Sequence, residues 1–179
     1  MTTWMLRLGR FDRWALHTLV QRRQGAWSRV LRAVTHLGDT WVVVGVAAAA
    51  SLGILPGLEE AGVISAFALA VSHGFVQVLK RTITRPRPQL PEGVHSLVAA
   101  PDRFSFPSGH AAAALSIALP IAAALPTPAA VLVLGTALVV GVSRCYLGVH
   151  YPGDVLAGWL LAAGAVLLAP PILGGLGWS

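Results

Sequence analysis

Residues 128–154 read PAAVLVLGTALVVGVSRCYLGVHYPGD. The run 128–146 is apolar except for Thr136 and the closing Ser143-Arg144 pair. Its length lies within the roughly 17–25 residues that cross a bilayer as an α-helix. A short turn carrying His150 follows, and a second apolar run opens at Pro152 with Asp154 in its first turn. Helices that are apolar on every side bury those sides in lipid or against other helices. The pair therefore reads as two adjacent membrane spans with ionisable groups at their shared end.

Outward from this pair, segments 40–56, 62–80 and 109–125 have the same character as 128–146 and 152–172. The predicted fold is all-α, an integral membrane helical bundle of about five spanning helices. Composition agrees: 55% of the 179 residues are hydrophobic and 11% charged, against about 25% charged in a soluble domain. Small residues crowd the spans (Ala111 to Ala114, Gly135, Gly141, Gly158, Gly164) and allow close helix approach in lipid. The lone cysteine, Cys145, rules out an internal disulfide and reads as inert packing.

Residues 1–38 differ, with seven arginines and no apolar run of membrane length. Trp27, Val30, Leu31, Val34 and Leu37 recur at helical spacing, with Arg29 and Arg32 between them. This predicts an amphipathic helix lying in the interface, so the chain divides into an interfacial segment, 1–38, and a transmembrane domain, 39–179. Arginines are spread through the start of the chain, and no secretory signal pattern is visible there. Basic residues outnumber acidic ones by 13 to 7. With no recognition motif for nucleic acid, the excess points to an anionic membrane surface and a phosphate ligand, and no nucleic-acid partner is expected.

Passed alternately through a membrane, the segments bring the loop 81–108, the turn 147–151 and the first span's start near Asp39 to one face. Three polar clusters meet there. Lys80 to Pro88 (KRTITRPRP) is either a basic interface anchor or a cationic cradle, with Arg87 as a guanidinium fork and Lys80 as a point charge. Phe106-Pro107-Ser108-Gly109-His110 precedes an alanine-rich span. Ser108 suits an N-cap, the free amides of the first turn suit an anion, and Gly109 permits close backbone approach. Ser143-Arg144, His150 and Asp154 form the third. A helix starting near Pro152 puts the Asp154 carboxylate within reach of the His150 ring, where it would fix the tautomer and free the other nitrogen for attack. Taken alone, the last two clusters also read as helix caps with interfacial histidines.

Together these clusters resemble the type 2 phosphatidic acid phosphatase family, which shares its site with vanadium-dependent haloperoxidases. The resemblance rests on Lys80 with Arg87-Pro88 after six residues, on Pro107 to His110, and on Ser143-Arg144, five residues, His150, three residues and Asp154. It covers about residues 40–172. It implies that His150 attacks phosphorus to give a phosphohistidine, that Asp154 orients His150, and that His110 protonates the leaving oxygen and then activates water. It further implies that Lys80, Arg87, Ser108, Gly109 and Arg144 hold the phosphoryl oxygens. No metal or other cofactor is expected, since the sequence lacks a carboxylate cluster suited to magnesium.

The expected activity is removal of a terminal phosphate from a phospholipid or polyprenyl phosphate. Candidates are phosphatidylglycerophosphate, phosphatidic acid, undecaprenyl or decaprenyl diphosphate and, given an arginine and alanine bias like that of a high-GC bacterium, decaprenyl-phosphoryl phosphoribose. A haloperoxidase using the same pocket for vanadate, and a non-enzymatic lipid-binding or transport protein, are the competing functions. The partners are the lipid phosphate and membrane lipids; nothing reports on oligomeric state. His73, seven residues before Lys80, is expected on the same helix face toward the bundle interior. Trp4, Trp14, Trp27 and Trp41 read as headgroup-level anchors. Larger members of the family usually carry a span before the amphipathic segment, for which this sequence starts too late. With seven arginines before the first span, the expected location is the bacterial inner membrane, with the active site facing the cytoplasm; the extracytoplasmic face, on which many bacterial members of the family work, is the alternative.

Overall fold

A computed structural model describes residues 3–100 and 102–175, which form seven α-helices and no strand. They are α1 (Thr3–Gln21), α2 (Gly25–Thr35), α3 (Thr40–Ser51), α4 (Glu59–Ile83), α5 (Gly109–Ala124), α6 (Thr127–Tyr146) and α7 (Pro152–Gly175), with a 3₁₀ turn at His36–Gly38. The all-α membrane bundle is as the sequence predicts.

α5 is the axis of the bundle. Its alanines leave room for neighbours on all sides, and α3, α4, α6 and α7 close around it so that Ala111 through Ala118 are buried. The surrounding helices keep a buried stripe inward and turn Phe75, Val78, Val131, Leu132, Leu160 and Leu167 outward. Such an apolar exterior suits lipid rather than water.

Helices α4, α6 and α7 are long and apolar enough to cross a membrane. The segments expected at 40–56 and 109–125 form shorter helices, α3 with 12 residues and α5 with 16. At about 1.5 Å per residue these reach only ~18 and ~24 Å, against a hydrocarbon core of about 30 Å. α3 ends because Gly53 and Gly57, with φ of 72° and 80°, turn the chain in the left-handed region. It meets the α2 segment at a bend of 53°. α5 stops at Leu125, which is extended ahead of Pro126.

The N-terminal segment holds two helices rather than the one expected over Trp27 to Leu37. α1 lays Leu16 and Val20 into a cluster with Ala111, Cys145, Tyr151 and Val155, and turns Phe11 and Trp14 outward. One face of α1 thus covers the end of the bundle where the polar turns lie, while the other suits the membrane interface. Trp27 and Trp41 are also exposed; the side chain of Trp4 lies outside the described residues.

Two glycines set the helix spacing. A Cβ on Gly62 would stand 2.3 Å from the Ser51 amide nitrogen, and one on Gly158 would stand 2.5 Å from the Ser108 carbonyl oxygen. Both contacts are with backbone, so only glycine lets α4 approach α3, and α7 approach the start of α5, this closely. The second contact joins the two helix starts that carry His110 and Asp154.

Candidate active site

α4 ends at Thr84, whose φ of 47° is left-handed, a conformation rare for a β-branched residue. The turn sends residues 85–87 back across the bundle. The Ser105 amide donates to the Arg85 carbonyl (2.9 Å), and Ser105 Oγ donates to that of Pro86 (3.0 Å). In extended chain, alternate residues share a side, so Arg85 and Arg87 reach inward together.

His150 is buried between α6 and α7. Its Nε2 lies 2.9 Å from Arg87 Nη1. A guanidinium can only donate, so Nε2 is the accepting nitrogen, and the neutral ring carries its proton on Nδ1. Nδ1 faces Asp154 Oδ2 at 3.6 Å, just beyond hydrogen-bond range. Burial, outweighing the neighbouring Asp154, pulls the His150 pKa down to about 4, so the ring is neutral at pH 7 and its lone pair is available.

Asp154 is fixed at both oxygens: Oδ1 accepts from Arg85 Nη1 (2.7 Å) and Oδ2 from the Tyr151 amide (2.8 Å). Arg85 also donates to Asp12 Oδ2 (2.7 Å) and lies over the Tyr151 ring, 4.1 Å from its centroid. Asp12 Oδ1 accepts from the Gly153 amide (2.8 Å). The N-terminal helix α1 is therefore tied through Asp12 and Arg85 to the carboxylate that faces His150.

On the α5 side, Ser108 caps the helix by accepting from the Ala111 amide (3.4 Å), and its own amide donates to the Asp154 carbonyl (2.9 Å). A Cβ on Gly109 would meet only Val76, at an ordinary 3.8 Å, so packing does not demand glycine there. His110 Nε2 is 2.9 Å from Asp39 Oδ1, and Asp39 Oδ2 is 2.8 Å from His36 Nδ1. A carboxylate on a ring nitrogen favours the ring that carries a proton there. Arg144 is buried, with Nη1 donating to Thr35 Oγ1 (2.8 Å) and Nε without a partner among the described residues. Lys80 and Arg87 share one carboxylate: Lys80 Nζ bonds Asp102 Oδ2, and Arg87 Nη2 bonds Oδ1 (2.8 Å).

All eight residues picked from the sequence thus lie at one end of the bundle. Arg87, His150 and Asp154 are neighbours, Lys80 joins Arg87 through Asp102, and Ser108 joins Asp154 through the main chain. The His150 amide donates to the Arg144 carbonyl (3.3 Å), but among the described residues no side-chain hydrogen bond links His110 or Arg144 to His150. Sequence reasoning missed Asp12, Thr35, Arg85 and Asp102, and took Asp39 only as a position on the face. One signal was present: the chain has only seven acidic residues, and Asp12, Asp39, Asp102 and Asp154 are four of them. In so apolar a chain, a scarce carboxylate needs a partner.

His73 departs from expectation. It is exposed, 3.0 Å from Gln77 Nε2. The buried stripe of α4 runs Ala68, Ser72, Val76, Lys80, so Lys80 marks its edge, and His73, about 20° further round, falls outside. Among the described residues no group of three or more His, Cys, Asp or Glu is placed to hold a metal ion.

Residues 61–177 match the PAP2 superfamily, well over half of the chain. The protein belongs to the PAP2 superfamily. It is 31% identical over 148 residues to a decaprenylphosphoryl-5-phosphoribose phosphatase of Mycobacterium tuberculosis, covering 80% of this chain and 79% of that one. Its fold is similar to that of Aquifex aeolicus LpxE, with a TM-score of 0.76 and 25% identity over 87% of this chain and 92% of the other. It is also similar to a transmembrane PAP2-type phosphatidylglycerolphosphate phosphatase of Bacillus subtilis, with a TM-score of 0.74 and 26% identity over 94% of this chain and 87% of the other. The chain is a membrane protein of this superfamily, and its relatives are phosphatases.

Proposed function

We propose that this PAP2 protein hydrolyses the terminal phosphate of a membrane lipid phosphate through a phosphohistidine on His150. The observation that carries the reading is the Arg87 donor on His150 Nε2: it fixes the lone pair on the nitrogen that faces the cationic residues. In the first step that lone pair forms a bond to phosphorus while the bond from phosphorus to the lipid oxygen breaks. His110, as the imidazolium with its Nε2–H held by Asp39, supplies its Nδ1 proton to the departing oxygen. As attack proceeds, the Nδ1 proton stays on the ring and is held more tightly by Asp154, whose carboxylate stabilises the cationic ring. Arg87 turns from Nε2 to a phosphoryl oxygen, joining Lys80, Arg144, Ser108 and the Gly109 amide around the three equatorial oxygens. In the second step His110 takes a proton from water, the water oxygen bonds phosphorus, and the bond to His150 breaks to release inorganic phosphate.

The lipid chain has a place to lie. A groove of about 200 Å³, lined by Leu37, Val42, Ala114, Ile117, Ala137 and Val140 among others, opens between α3, α5 and α6. Ala114 is one helical turn from His110 and Val140 one turn from Arg144, so the groove starts where the leaving oxygen departs. The substrate class is a lipid with a terminal phosphate. Decaprenylphosphoryl-phosphoribose phosphate and phosphatidylglycerophosphate are the first to assay, after the names of its relatives, with phosphatidic acid and polyprenyl diphosphates beside them. Purified protein is expected to release phosphate from at least one of these in excess EDTA and to be inhibited by vanadate, which mimics the five-coordinate transition state. Loss of activity on chelation with recovery on adding magnesium, or no release from any lipid phosphate, would refute the reading.

We place the active site on the cytoplasmic side of a bacterial inner membrane. Arg23 donates to the carbonyls of Tyr146 and His95, so the arginine-rich N-terminal segment lies on the active-site end, whereas Glu59 and Glu60 begin α4 at the other. Positive charge beside the first spans favours the cytoplasm. Ser96 and Glu59 are exposed, so single cysteines there, in a Cys145→Ser background, test the orientation. An impermeant thiol reagent on cells stripped of outer barriers is expected to label position 59; labelling at 96 alone would reverse the assignment.

A further inference from the structure

The two cations at the mouth of the site are already occupied by a group of the chain itself. Asp102 presents one carboxylate oxygen to Lys80 and the other to Arg87, and its main-chain carbonyl accepts from Arg87 Nε at 3.3 Å. A phosphoryl group held by Lys80 and Arg87 needs these same donors for two of its own oxygens. We infer that Asp102 is an internal competitor for the phosphate site, which the substrate must displace and which takes back the cations when phosphate leaves.

The partners are unequal in a way that fixes which of them moves. The side chains of Lys80 and Arg87 are 8% and 16% exposed, whereas that of Asp102 is 39% exposed and sits on a loop. Lys80 lies in the last turn of the packed helix α4, and Arg87 is tethered by its bond to the Val149 carbonyl (2.8 Å). The cations are therefore part of the framework, and the carboxylate can swing into water. Partial burial pushes the Asp102 carboxyl up, but Lys80, with Arg87 and the Phe104 amide, together hold it below the ordinary range, so it is an anion at neutral pH and repels an incoming phosphate. An anion that pairs both cations between turnovers spares them burial without a counter-charge. The same anion limits how tightly the product can bind, since phosphate and Asp102 compete for one pair of donors. Substrate affinity is thereby traded for product release.

The inference rests on the phosphatase reading, and its test separates the two. Asp102→Asn keeps the shape and an acceptor for the Phe104 amide, which donates to Oδ1 at 3.1 Å, but removes the charge. In the full-length protein in detergent, the dissociation constants of vanadate and inorganic phosphate are expected to fall about tenfold. The KM for lipid phosphate should fall with them, kcat should not rise, and Asp102→Glu should restore the wild-type values. If Asp102 serves only to hold its loop, the Asn variant will lose thermal stability and bind vanadate no more tightly, which overturns the inference. Hydrogen exchange on the wild type needs no variant: vanadate should speed exchange at Phe104 as the carboxylate leaves the cradle, and slower or unchanged exchange would also overturn it. Vanadate binding requires no turnover, so a failure there counts against Asp102, and a failure of the wild type to hydrolyse any lipid phosphate counts against the enzyme assignment.

Discussion

His150→Ala is expected to abolish phosphate release from every lipid phosphate that the wild type hydrolyses, by a factor on the order of 10⁵ or more. The loss should fall on kcat, because the substituted group makes the bond to phosphorus and is not one of several binding contacts. Vanadate should still bind, though more weakly, since Lys80, Arg144 and the start of α5 remain. Arg87 loses its acceptor at Nε2 but keeps the Val149 carbonyl and Asp102, so the fold should survive. Residual activity above about one percent of wild type would mean that another group, or water itself, attacks phosphorus.

Asp154→Asn should lower kcat by about 10⁴-fold with little change in KM, by analogy with the carboxylate of serine-protease triads. The structure explains why the loss should be so large. Asp154 answers three groups at once: Arg85 at Oδ1, and the Tyr151 amide and the His150 ring at Oδ2. An amide has one oxygen for them. Its NH₂ turned toward Arg85 would meet a donor, and turned toward His150 it would favour the tautomer with the lone pair on Nδ1, the wrong nitrogen. Measured kcat and KM on the same lipid phosphate decide the matter. A fall of less than about tenfold would reduce Asp154 to a cap on the Tyr151 amide.

Much of this was legible in the sequence because membrane spans announce themselves by composition, and because the ionisable residues proposed to handle phosphate lie at the ends of those spans. Lys80, His110, Arg144 and Asp154 each open or close an apolar run, and alternate threading alone carries them to one face. What was not legible depends on tertiary distance. Asp12 and Arg85 are 73 residues apart and Arg144 and Thr35 are 109 apart, and nothing local marks either pair. The lengths of α3 and α5 were over-read for a related reason. Hydropathy records how apolar a segment is, not whether lipid or protein surrounds it, and α5 is enclosed by other helices. His73 was misjudged because a seven-residue spacing is a shared face only when the reference residue lies at the centre of the buried stripe, and Lys80 lies at its edge.

The proposed reaction passes through a covalent bond between phosphorus and His150 Nε2. Brief incubation of purified protein with a radiolabelled lipid phosphate, followed by denaturation, tests it most directly. The expected label is labile in acid, stable in alkali, carried by the peptide that contains His150, and absent from His150→Ala. Label on any other residue, or continued turnover in a protein that never carries label at His150, would contradict the account.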